Sequence, residues 1–407
     1  MRSSSVYLLM TAAWSAVAVS ITSQQRADST IEKRASCTPA SLGDTQQDDT
    51  PAIAAAIKSC GNGGIIVIPA GTTYSLRSAL SFTGCVGCDF QLEGTLKSST
   101  DTTYWATQTA IISLNSISGA KFRSLTGSGV IDGNGQDAYD QFAANSSLAR
   151  PTVFYISGGS NIYVGGFSVK NPPNVFFSQK GSVSNVQYAS LTMTAASKST
   201  NAPKNTDGFD IGESTYTTIN DIYVENQDDC VAFKSGSNYV TVERITCAGT
   251  NHGLSVGSLA ETNADNVKNV YVNNVTMTNC GKAAGIKVYP GGPDYGTATV
   301  SNVTWSNVVV DQCEYAVQIQ SCYNADADYC AEYPSEAVFT DIYFENFSGQ
   351  TKTQAGTVTS NIDCPAAGTC DLYFTDYTVI SSESTSEVLC NNIDSNPGIT
   401  CVSGASG

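Results

Sequence analysis

An all-β, single-domain parallel β-helix is the fold class the sequence predicts, and three observations carry it. Only 14% of the 407 residues are charged while glycine numbers 35, a balance that favours strands and turns over surface helices. One short pattern recurs along the chain: apolar, skip one, apolar, skip two, apolar, skip one, apolar. Finally, the series of two-residue Asn-Gly or Asp-Gly turns that a sandwich of antiparallel hairpins needs is missing.

The recurring pattern begins at Ile162, Val164, Phe167 and Val169, then returns as Val186, Tyr188, Leu191, Met193 and as Thr217, Ile219, Ile222, Val224. It continues with Val240, Val242, Ile245, Cys247, with Val270, Val272, Val275, Met277 and with Val303, Trp305, Val308, Val310. Ile342, Phe344, Phe347 with Gly349, and Leu372, Phe374, Tyr377, Val379 complete it. First positions lie 24, 31, 23, 30, 33, 39 and 30 residues apart. Residues i and i+2 face the same side of a strand. The extra residue in the middle is therefore a bend that keeps the second pair inward. Two short strands per period of about 23 residues, plus loops, make one coil of a parallel β-helix, which buries its apolar row only by stacking on its neighbours. Asn161, Asn185, Asn269 and Asn302 precede the strands, as suits left-handed turn positions.

Ahead of the coils, Arg2 and the apolar run Val6 to Val19, ending in small residues, read as a signal peptide over 1–20; the run is too short to span a bilayer. A polar stretch follows and ends in Lys33-Arg34, so 21–34 reads as a propeptide and 35–407 as the β-helical domain. Asp49 to Cys60 predicts an amphipathic helix with Thr50 as cap, Pro51 in the first turn and Ile53, Ala56 and Ile57 on one face. Such a helix caps the open edge of the first coil, and the cysteine-rich stretch after Cys364 does the same at the far end.

Fourteen cysteines behind a signal peptide predict disulfides in an oxidising compartment. Cys37 and Cys60 are expected in bridges. Near neighbours are expected to pair: Cys230 with Cys247, Cys322 with Cys330, Cys364 with Cys370, and Cys390 with Cys401. Cys85 and Cys88 have metal-ligand spacing, but a second such pair is lacking and the chain has one histidine, which argues against zinc. No metal and no cofactor is expected. Sequons at Asn145, Asn274, Asn302 and Asn346 fit a secreted, extracellular glycoprotein. A net charge of −16 argues against nucleic acid and anionic membranes as partners; the chain is expected to work as a monomer.

The β-helix changes what the acidic residues mean. Asp229 follows Asp207 by 22 residues, His252 follows Asp229 by 23, and Lys287 follows His252 by 35, a coil plus an insertion. Residues one coil apart stack roughly 4.8 Å apart. Asp207, Asp228 and Asp229, His252 and Lys287 should therefore form a strip. Crowded carboxylates raise the pKa of at least one member, and glycoside hydrolysis needs one protonated and one ionised carboxyl. The alternatives are a solvated turn for Asp228-Asp229 or a calcium site, although NTDGFD lacks the glutamate of an EF-hand loop.

Four motifs occur in order: NTDGFD (205–210), NQDDC (226–230), NHGLSVGS (251–258) and GIKVYPG (285–291). They resemble the signature of the family 28 glycoside hydrolases, the polygalacturonases and their relatives, and the resemblance runs from Cys37 to the end. It implies a right-handed parallel β-helix and inverting hydrolysis of pectin. By motif match, Asp228 would be the general acid, while Asp207 and Asp229 would hold and deprotonate the water; acid and base would stand roughly 6.5–9.5 Å apart. His252 would tune the acid, Asn205 would orient Asp207, Lys287 would pair with a galacturonate carboxylate, Tyr323 would bind sugar, and Asp210 would be structural or line a subsite. One departure matters. Polygalacturonases typically read Arg-Ile-Lys where this chain has Gly285-Ile286-Lys287. Losing a bidentate carboxylate clamp implies room for a side branch, hence a galacturonan carrying xylose; plain galacturonan is the alternative substrate. A pectate lyase and a non-catalytic carbohydrate-binding protein are the readings from other classes. The −16 charge should repel a polyanion; Lys287 and Lys234 supply the local positive charge that opposes this.

Overall fold

The computed structural model describes residues 34–407. The signal peptide and nearly all of the propeptide lie outside the described residues; of the latter only Arg34 is included, and its guanidinium donates to the carbonyls of Gly63 and Gly64.

Twenty-six strands join in one sheet that winds as a right-handed parallel β-helix. The apolar rows read from the sequence stack in register: Val186 on Thr217 on Val240 on Val270 on Val303 on Ile342 on Leu372, and Met193 on Val224 on Cys247 on Met277 on Val310. These rows are buried in the interior. Aromatic rings stack from coil to coil, with Phe177 on Phe209 at 5.4 Å and Trp305 on Phe344 at 5.1 Å, the latter almost parallel at 3°.

From Ile162 to Phe347 each coil bends twice through a left-handed residue. One sits before the first apolar position, at φ near +55° in Asn161, Asn185, Asn269 and Asn302, and the other before the third, in Ser190, Asp221, Arg244, Asn274, Asn307 and Asn346. The predicted asparagines thus occupy the first bend, but Tyr216 and Tyr239 fill it in two coils. Asparagine tolerates this backbone because its short amide bonds locally. Here the amides also link coils: Asn302 Nδ2 donates to Asn269 Oδ1 at 2.7 Å and Asn346 Nδ2 to Asn307 Oδ1 at 2.6 Å. All four sequon asparagines are exposed.

The helix Thr50–Cys60 closes the first coil and buries Ile53, Ala56 and Ile57 as expected. Its cap differs from the prediction. Thr50 is already helical, with its hydroxyl on Ser78 O, and Asp49 holds the cap position while its carboxylate accepts from the backbone of Leu42 and Ser75. Asp49 therefore ties the loop at Leu42 to the strand Thr73–Leu76 instead of capping its own helix. At the other end, Cys390 N donates to Val402 O and Phe374 N to Pro397 O, so the tail covers the last coil.

Seven disulfides form. Four are the near pairs read from the sequence: Cys230 with Cys247, Cys322 with Cys330, Cys364 with Cys370, and Cys390 with Cys401. Cys364 and Cys370 close a short loop ahead of the last long strand, and Cys390 and Cys401 fasten the tail to the final coil. Cys37 and Cys60, expected in bridges, bond to each other and tie the capping helix to the first strand. The other two bridges were not expected. Cys85 and Cys88 bond to each other. Cys280 and Cys313 bridge adjacent coils; their separation of 33 residues equals that of Val270 and Val303, so the repeat carried a signal that pairing by nearness missed.

Candidate active site

The short strands Phe177–Lys180, Phe209–Ile211, Val231–Phe233, Leu254–Leu259, Lys282–Val288 and Tyr315–Gln320 stack into the sheet that carries the site. Phe209, Val231, Leu254 and Ala284 are in register, which puts Asp207, Asp229 and His252 in one column two residues earlier, as the spacing predicted. Lys287 does not belong to it. The coil from Leu254 to Ala284 spans 30 residues rather than 23 because of the loop after Leu259, so the next member of the column is Lys282. Lys287 pairs with Gly257, five positions further along the strand.

NQDDC is wrapped around its own asparagine. The buried Asn226 amide donates to Thr206 O, Asp228 O and Asp229 O at 2.7, 3.1 and 3.0 Å. This curl, braced by the bridge from Cys230 to Cys247, breaks strand alternation and brings both carboxylates to one surface. Asp229 N donates to Asp228 Oδ1 at 2.8 Å and His252 N to Asp228 O at 3.0 Å.

An open cleft of about 620 Å³ lies over this surface, lined by Asp207, Asp210, Asp228, Asp229, Lys234 and Lys287, with Arg150, Asn205, Ser258 and Tyr323 among the flanking residues. His252, half-exposed, sets Nδ1 3.1 Å from Asp228 Oδ1. Asn205 Nδ2 lies 3.2 Å from Asp228 Oδ2, so Asn205 orients Asp228, not Asp207 as expected. Lys287 Nζ donates to Asp229 Oδ2 at 2.6 Å. The other oxygen, Asp229 Oδ1, is buried without a partner, and Asp210 Oδ1 has only Lys234 Nζ, 3.6 Å away. Tyr323 stands with its ring centre 5.6 Å from Lys287 Nζ.

The surroundings set the carboxyls apart. Burial pushes Asp207 well above the usual carboxylate range, and Asp210 and Asp228 add to the push. Burial also raises Asp210, against the pull of Lys234. Burial would raise Asp228 too, but the bond to His252 and its charge hold it at about 2. The surroundings thus push Asp207 and Asp228 in opposite directions. Asp228, Asp229 and His252 gather donor atoms within 4.8 Å of one another. Each carboxylate already faces a protein cation, so a divalent ion would have to compete with Lys287 and with the imidazole.

Arg150 was missed from sequence. Its guanidinium lies 3.5 Å over the Phe142 ring and donates to Asn205 Oδ1 at 2.8 Å; burial brings it down to about 10. It reaches the cleft from a loop, where no periodicity marks it. The space beside Gly285 also differs from expectation. A Cβ there would stand 2.4 Å from Gln318 O and 2.8 and 2.9 Å from Cδ and Cε of Lys282. The notch expected to admit a branch is filled by the stem of Lys282.

Residues 60–401 match the model of the glycosyl hydrolases family 28. The chain belongs to this family. It is 55% identical over 402 residues to endo-xylogalacturonan hydrolase A of Aspergillus tubingensis, covering 99% of this chain and 98% of that one. It matches the crystal structure of endo-xylogalacturonan hydrolase from Aspergillus tubingensis with a TM-score of 0.91 at 56% identity, over 92% of this chain and all of the other. A polygalacturonase from Erwinia carotovora ssp. carotovora shares the fold alone, with a TM-score of 0.66 at 20% identity over 91% of this chain and 99% of that one.

Proposed function

We propose that this family 28 hydrolase is secreted and cleaves galacturonosyl linkages within xylose-bearing galacturonan, with inversion. The observation that carries the reading is the 55% identity to the xylogalacturonan hydrolase of Aspergillus tubingensis over nearly the full length of both chains. The open cleft is in keeping with cutting inside a chain.

The geometry supports a division of labour. Asp228 is the general acid, and the Asp228–His252 pair stores its proton. In the free enzyme the low-titrating Asp228 carboxylate faces His252 Nδ1. When substrate covers the cleft and expels water, separated charge becomes costly, and a proton taken up by Asp228 Oδ1 across its 3.1 Å contact with His252 Nδ1 leaves a neutral acid beside the glycosidic oxygen. Asp229 is the base: Lys287 holds Oδ2, and the unpartnered Oδ1 takes a proton from the attacking water. Asp207, whose carboxyl its surroundings push well above the usual range, orients that water. Water adds to the anomeric carbon as the bond to the leaving oxygen breaks; one proton goes to Asp229 and one comes from Asp228.

Rates on xylogalacturonan and on bare polygalacturonate test the substrate. Faster release of reducing ends from the xylosylated polymer is expected, and the opposite order overturns the assignment. An ultraviolet-absorbing unsaturated product would mark a lyase and overturn hydrolysis.

A further inference from the structure

Lys282 has no part in the acid–base scheme, yet it is placed as if for a ligand. It continues the column of Asp207, Asp229 and His252 on the next coil, and its residue is only 5% exposed. Its stem crosses the outer face of the sheet over Gly285, within 2.8–2.9 Å of where a Cβ would be. The ammonium makes no hydrogen bond or ion pair among the described residues. The nearby anions are engaged elsewhere, Asp229 with Lys287 and Asp228 with His252. Tyr315, in register on the following coil, is neutral in the acid range. Burial, and then the charge of Lys287, bring Lys282 down to about 8. A largely buried cation with no partner is costly to keep, and next to the cleft residues Asp228, Asp229 and Lys287, whose charges it feels, it marks a group waiting for a counter-charge.

We propose that Lys282, laid over the bare backbone of Gly285, is a specificity-determining residue that binds a uronate carboxylate of the polysaccharide beside the reacting linkage. The inference rests on the galacturonan reading above and deepens it. Gly285 then leaves room for the lysine stem: a Cβ at 285 would meet Gln318 O at 2.4 Å and the Lys282 stem at 2.8 and 2.9 Å. Lys282 and Lys287 together give the strip two ammonium groups for successive carboxylates, which offsets the repulsion of a polyanion by a chain of net charge −16.

The test is Lys282→Met, which keeps the stem and removes the charge. KM on xylogalacturonan should rise about tenfold or more, as for loss of a charge-assisted hydrogen bond, while kcat changes far less. The melting temperature should hold or rise, because an unpaired buried charge has gone. Methyl-esterified substrate, whose carboxyls are neutral, should bind wild type and variant alike. An unchanged KM overturns the proposal. So does an equal loss on esterified substrate, or a melting drop without a change in KM. A second measurement needs no variant: the affinity of wild type for oligogalacturonate should weaken as pH rises through about 8, and a flat profile there counts against Lys282. If wild type cuts no galacturonan at all, the substrate reading fails instead.

Discussion

The column Asp207–Asp229–His252–Lys282 and the column Asn269–Asn302 obey one rule, one residue per coil, on different faces of the cylinder. Along the asparagine column, the Asn302 amide donates to Asn269 one coil away, and that of Asn269 to Asn238. Tyr216 on Tyr239, stacked at 5.0 Å, follows the same logic nearby. Along the acidic column the stacked groups are ionisable, Asp207 and the Asp228 beside it are driven apart in pKa, and one lysine is left unpartnered. A parallel β-helix offers identical spacing on every face; neutral amides turn it into stability, and charges turn it into reactivity at some cost to the fold. Substitutions should therefore divide by face: those in the strip move catalysis, and those in the ladders and rows move stability.

The largest effect should come from Asp228→Asn, which preserves shape and removes the transferable proton. We expect kcat to fall about 10²–10⁴-fold, the range for a general acid, with sugar binding retained by calorimetry. Near-wild-type turnover would remove Asp228 from the mechanism. On the structural side, Trp305→Ala opens a cavity in the stacked row with Phe344 and should cost about 3–5 kcal/mol in denaturant unfolding, with KM unchanged in the protein that remains folded.

A pH comparison within the strip comes next. Asp207 is raised in the folded state, so its contribution is present below the ordinary 3.8 and is lost as pH climbs from there through the raised value. Asp228 is held at about 2, so its contribution is present above 3.8 and is lost as pH falls from there towards 2. At pH 6, Asp207→Asn should therefore melt higher than wild type and Asp228→Asn lower, each by about 2 °C or more; near pH 2.5 both differences should shrink. Shifts of the same sign at pH 6 would mean that the two carboxyls are not set apart by their surroundings.

How much of this was legible follows from the same contrast. An inward row has to be apolar in every coil, so the strands, their register and the single domain could be read from spacing. Asp207, Asp229 and His252 could be aligned because their coils carry no insertion. The loop after Leu259 then moved the column from Lys287 to Lys282, and nothing local tells where in a coil seven extra residues fall. Arg150 was illegible for a related reason: loop residues have no period. Asn226 looked like one more polar residue, because its task is to bond backbone that comes together only after the coils close. The cysteines divide the same way. Cys364 with Cys370 and Cys390 with Cys401 close short local loops and could be paired by nearness, whereas Cys280 with Cys313 needed the coil period.

The smallest effect should be at Asn307, where two properties can be separated. Its φ is +55°, and its amide donates to Asn273 Oδ1 at 2.7 Å while accepting from Asn346. Alanine removes the ladder and strains the bend, so Asn307→Ala should cost about 1–2 kcal/mol. Glycine also removes the ladder but accepts the left-handed backbone, so Asn307→Gly should cost less than half as much. Equal losses would put the stability in the amide ladder; a nearly neutral glycine variant would put it in the bend. Both proteins should keep wild-type kcat and KM, since this bend lies outside the residues that line the cleft.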